Sequence, residues 1–123
     1  MKTIEGNKLI AEFMGVKPVD GFYNGWELHK AGLPFSYGAM GNGTSDPKFH
    51  ASWDWLMPVV EKIETLELLP NDNWFNVTIG GSKYCTIHDS NGEIAEFMGD
   101  APTKILCVWF AVIEFIEWYN KNK

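Results

Sequence analysis

Three histidines, two cysteines and one serine are the side chains of this sequence best suited to chemistry. His29, His50 and His88 lie far apart, and none stands in a His-Glu-x-x-His spacing or beside a Cys-x-x-Cys pair, the patterns that converge on zinc. His50 and Asp54, four residues apart, share one helix entrance, but two ligands fall short of a metal site, so no metal is expected. Ser52 lacks the flanking glycines of a nucleophile elbow and precedes an apolar-periodic run, where a serine caps a helix. Cys85 and Cys107 sit among apolar residues, which raise a thiol's pKa and blunt its reactivity; two buried thiols are expected. Glu61, Glu64, Glu114 and Glu117 fall at the spacings of solvated helix faces, and none forms a marked acid-base pair. The glycines from Gly38 to Gly43 have no lysine in the P-loop position and no apolar strand leading in, so they read as a loop. The chain is therefore read as non-enzymatic and without a cofactor.

What remains is aromatic. Trp53 and Trp55 on one helix point about 200° apart, so they do not share a buried layer, and one of them faces a pocket, a partner or a loop. The structural alternative makes both core anchors, since tryptophan is highly buried on average. The binding reading builds an aromatic wall from Trp26, Trp53 and Trp55, with His50, Asp54, Tyr84 and His88 as its polar rim.

The elements that must position these residues follow from periodicity. Leu9, Ile10, Phe13 and Met14 recur at spacings of three and four, giving a helix over Asn7 to Met14 ended by Gly15 and Pro18. A long irregular segment, 16–49, follows, with a short strand or hairpin at Phe22 to Leu28 and an exposed loop from Gly38 to Asp46. After Ser52 a second helix carries the stripe Trp53, Leu56, Val60 and Ile63, flanked by Trp55, Val59 and Leu66, with Pro58 removing one hydrogen bond.

Beyond Asn73 the period becomes two, and the Gly80-Gly81 and Asn91-Gly92 turn signals separate three alternating runs, an antiparallel meander. Asp100 and Pro102 open the final helix, with Ile105, Trp109, Val112, Ile113 and Ile116 as its main apolar face and Glu117 to Lys121 as an exposed pair. The sequence Ile-Ala-Glu-Phe-Met-Gly occurs at both 10–15 and 94–99, the first copy expected helical and the second extended. The fold class expected is an α+β layered sandwich, one domain over 1–123, with at least three strands and three helices.

Composition narrows the partners. The chain has 123 residues and a formal charge of -6, with 46% hydrophobic content, enough for a core. All ten basic residues are lysines, scattered mostly singly, and the absence of arginine argues against a general nucleic-acid binder. The N-terminal residues lack the apolar run of a signal peptide, and Glu114 and Glu117 end the apolar run from Ile105 well short of the roughly 20 residues of a membrane span. A cytoplasmic protein with no membrane partner is expected.

Three segments carry a resemblance: Asn7 to Gly15, His50 to Glu64, which reads HASWDWLMPVVEKIE, and Ala111 to Asn120. Together they resemble a family of small uncharacterised proteins of bacteriophages and Bacteroidetes related to the phage ABA sandwich domain. The resemblance implies layers of helix and sheet, a mobile-element origin and a bacterial host cell, but no established activity. Helices on both sheet faces would conflict with a polar face of Asn76, Thr78, Tyr84, Thr86 and His88, so either the early segment covers that face or it is partly wet. The function expected is non-catalytic binding, as sequestration of a small host molecule such as a nucleotide defence signal. The alternative is a module that binds a host protein or forms homo-oligomers through Trp53, Trp55 or Trp118, and the weaker one an undetected hydrolase.

Overall fold

The computed structural model describes residues 2–34, 43–68, 73–81, 84–89, 92–98 and 101–122. Contacts gather the chain into two compact units, Met1–Pro58 and Val59–Lys123. The fold is α+β, with four helices and a three-stranded antiparallel sheet among the described residues.

In the first unit, α1 spans Thr3–Phe13 and buries Ile10 and Ala11 on one side. It closes in a Schellman motif: the Val16 N–H donates to Ala11 O at 2.9 Å and the Gly15 N–H to Glu12 O at 3.0 Å, with Gly15 at φ 81°. Asp20 and Gly21, at φ 52° and 80°, make a two-residue hairpin turn across which Val19 and Phe22 exchange backbone hydrogen bonds of 3.0 Å. The chain continues into β1 (Tyr23–Asn24), which pairs antiparallel with β2 (Gly43–Thr44). A Cβ at Gly43 would collide with the Tyr23 carbonyl oxygen, so this pairing requires glycine.

Between these strands lies α2 (Gly25–Lys30), where a strand or hairpin was expected. Asn24 Oδ1 accepts from the Trp26 N–H at 2.8 Å and the Glu27 N–H at 3.4 Å, and a second Schellman closure runs from the Leu33 N–H to Leu28 O at 3.0 Å. Strong caps at both ends stabilise a helix too short to show a period. Most of the expected loop from Gly38 to Asp46 lies outside the described residues; Gly43 and Thr44 of it form β2.

The third helix, α3 (Trp53–Thr65), buries Trp55, Leu56, Val59, Val60 and Ile63. Trp53, expected in this stripe, is instead 39% exposed. Including Trp55 and Val59 moves the centre of the stripe about 90° from Trp53 by helical geometry, which leaves that ring at its margin.

In the second unit, β3 (Glu67–Leu68) pairs with β4 (Asn73–Trp74), and β5 (Asn76–Gly80), β6 (Tyr84–Asp89) and β7 (Gly92–Met98) form the meander in that spatial order. The final helix, α4 (Lys104–Asn122), packs on β6 and β7. Cys85, Ile87 and Ala95, which alternate onto one sheet face, are buried, whereas Asn76, Thr78 and Glu96 on the other are exposed. That second face is thus partly wet.

α4 is buried more broadly than its period suggested, along Cys107, Val108, Trp109, Ala111, Val112, Ile113, Phe115 and Ile116, while Ile105 is only half-buried. Its start also differs. Thr103 Oγ1 accepts from the Leu106 N–H at 3.3 Å, the geometry of an N-cap, which places Pro102 before the helix; Asp100 lies outside the described residues.

Candidate functional site

The seven residues expected to form a site fall in both units. Trp26, His50, Trp53, Asp54 and Trp55 belong to the first, Tyr84 and His88 to the second.

His50 is half-buried, and its Nδ1 lies 2.8 Å from Asn7 Nδ2, which also donates to Pro47 O at 2.8 Å. With the amide nitrogen donating to both, Nδ1 is the acceptor and the ring proton resides on Nε2. Asn7 is 2% exposed, so this pair ties α1 to the turn before α3, a structural role. Nearby, the Lys48 ammonium donates to Asp46 at 2.6 Å, and that hydrogen bond, with the ammonium's charge, holds the carboxyl below the usual range. Tyr23 is buried, and that burial, with the Glu12 carboxylate, pushes its phenol up.

The tryptophans separate cleanly. Trp55 is buried edge-on against Phe49, with ring centroids 5.2 Å apart at 86°, and anchors the core. Trp53 is exposed beside the exposed Asp54, and Met57 one turn later is exposed too. Trp26 is also exposed, stacked on His29 at 6.1 Å, and the Lys30 ammonium stands 5.6 Å from its ring while pairing with Glu27.

On β6, Tyr84, Thr86 and His88 alternate onto the second, partly wet face opposite Gly80, Thr78 and Asn76, with Thr86 itself buried and Tyr84 and His88 half-buried. Tyr84 lies over Gly80, where an added Cβ would sit 3.3 Å from its ring. Tyr84 and His88 are four strand residues, or about 13 Å, apart, so they line one face without meeting in one contact.

One open groove of the second unit is a feature the sequence did not announce. It measures about 320 Å³ and is lined by Ile94, Glu114, Glu117, Trp118 and Lys121. The four α4 residues follow the i, i+3, i+4, i+7 spacing of one helix face, although Glu114, Glu117 and Lys121 were expected as solvated surface and Trp118 only as an alternative interface anchor. Strict alternation would turn Ile94 away from Ala95. A register shift at Ile87 and His88 inserts an extra residue into β7, and such a bulge re-aims side chains, bringing Ile94 to the groove. The expected Glu117–Lys121 pair is not formed: among the described residues neither has an ion-pair partner within 4.0 Å.

The thiols supply no nucleophile. Both cysteines are buried and outside any disulfide; burial, with Cys107 adding to it, pushes Cys85 up to about 12, and burial also raises Cys107. Among the described residues no three His, Cys, Asp or Glu side chains gather as a metal site would require, and no helix is long and apolar enough to cross a membrane. Against known proteins, no family model, no curated protein and no solved structure matches the chain.

Proposed function

We propose that this chain is a non-catalytic accessory protein of the phage type it resembles, acting in the cytoplasm of a bacterial host by binding another polypeptide. The observation that supports this reading is the pair Trp53 and Met57, 39% and 37% exposed on successive turns of α3. Residues four apart on a helix lie side by side, and a tryptophan next to a methionine offers a large apolar anchor with an adaptable neighbour. Val19 and Phe22, on either side of the Asp20-Gly21 turn, are exposed in the same unit.

A second reading, sequestration of a nucleotide defence signal, draws on Trp26, whose ring and adjacent Lys30 ammonium would suit a base and a phosphate. Two measurements separate them. A photo-crosslinking phenylalanine in place of Met57 is expected to yield polypeptide adducts in the source cell that vanish with Trp53→Ala, an adduct to a second copy marking homo-oligomerisation. Nucleotides and cyclic dinucleotides should leave the melting temperature unchanged. A saturable rise with a nucleotide and no adduct at position 57 would overturn the polypeptide reading in favour of sequestration.

A further inference from the structure

The groove between β7 and the last turns of α4 has a chemistry unlike that of the exposed apolar residues of the first unit. Its wall is Trp118, half-buried and held from behind: Phe75 meets it at 5.9 Å and 80°, Phe115 at 5.9 Å and 38°, and both phenylalanines are buried. Phe75 and Phe115 are themselves in edge-to-face contact at 4.8 Å, so the indole is fixed before any ligand arrives. Beside it on the same helix face stand Glu114 and Glu117, two exposed carboxylates with no ion-pair partner among the described residues, and Lys121 with one ammonium. Ile94 supplies the apolar side opposite the helix.

We propose that this groove receives an arginine side chain of a partner protein. The lining carries a net charge of -1, the sum of two carboxylates and one ammonium, and so attracts a cation and repels a phosphate. A guanidinium engages the indole and both carboxylates at once, because its plane stacks on the one while its fork donates to the others, a gain set against the like charge of Lys121; an ammonium does only part of this. The volume lies at the lower end of the about 300–1,000 Å³ of ligand pockets, room for one long side chain. The sequence contains no arginine, so a second copy of this chain cannot supply the group. The inference is independent of the reading built on Trp53 and Met57.

The test is a titration of the uniformly ¹⁵N-labelled protein with acetyl-Gly-Arg-Gly-amide, followed at the Trp118 indole N–H and the Ile94 amide. Saturable shifts at these two groups are expected. The isosteric citrulline peptide and the doubly neutralised Glu114→Gln, Glu117→Gln protein should each bind about ten-fold more weakly, and the lysine peptide about three-fold. Both glutamates are exposed, and the spectrum itself reports that the variant is folded. Equal response to arginine and citrulline, shifts scattered without saturation, or no effect of the two substitutions would each overturn the proposal. Tetramethylammonium binding as tightly as the peptide would replace the protein partner with a small organic cation and overturn it too. None of these outcomes bears on crosslinking at position 57.

Discussion

Ile10–Ala11–Glu12–Phe13–Met14 and Ile94–Ala95–Glu96–Phe97–Met98 are the same five residues, the first closing α1 and the second forming most of β7. In the helical copy Ile10 and Ala11, neighbours in sequence, are both buried and Met14 joins them one turn on. In the strand copy Ala95 is buried while Glu96 is exposed, the alternation of a pleated edge. What closes the first copy is local: Gly15 and Val16 donate to Ala11 and Glu12 within five residues. What holds the second is distant, the ladder to Thr86 and Ile87 and the cover of α4. The pentapeptide has no decisive preference of its own, and its surroundings choose for it.

The comparison breaks most visibly at Phe115, which is fully buried under the distant support of β7 and meets Phe75 edge-on. Phe115→Ala is expected to cost about 3–5 kcal/mol in denaturant unfolding. Amide hydrogen exchange should show a larger loss of protection at residues 94–98 than at 10–14; equal losses would mean that the two copies share one cooperative unit.

A smaller, pH-dependent effect follows from Cys85. Its folded pKa of about 12 stands above the ordinary 9.0, so between those values the unfolded chain releases a proton that the folded chain keeps. Stability that is whole below pH 9 is therefore lost as the pH climbs toward 12, by at most about 1.4 kcal/mol per pH unit. Cys107 and Tyr23, both raised, act in the same direction, and Lys62, lowered by burial, opposes them. Urea midpoints from pH 8 to 10.5 should fall less steeply in Cys85→Ala, and an unchanged slope would remove Cys85 as the cause.

The same contrast of local and distant causes decides what could be read from the sequence. The meander was legible because Gly80-Gly81 and Asn91-Gly92 punctuate a period of two, and the contrasting fates of the two copies because Leu9 leads a helical spacing into one while the Asn91-Gly92 turn precedes the other; a glycine follows both. α2 was not, since six residues carry no period; its signals are the Asn24 cap and Gly32. Helical geometry separated Trp53 from Trp55, but which one is buried depends on Phe49, whose ring reaches Trp55 from outside the helix. The groove was hidden for a similar reason, because the bulge that delivers Ile94 arises from pairing with β6.

The finest distinction between the copies lies at Glu12 and Glu96, exposed in both settings. Threonine loses rotamer freedom against the preceding helical turn, so Glu12→Thr should destabilise the protein by about 0.5 kcal/mol. In a strand the same branched side chain fits the pleat, and opposite Thr86 it forms a cross-strand threonine pair, so Glu96→Thr should leave stability unchanged or raise it by about 0.5 kcal/mol. The difference between the two variants, measured by urea unfolding in one buffer, isolates backbone conformation because the residue removed, the residue introduced and the flanking Ala and Phe are identical. Equal destabilisation by both substitutions would mean that the contacts of each glutamate, rather than helix against strand, set the outcome.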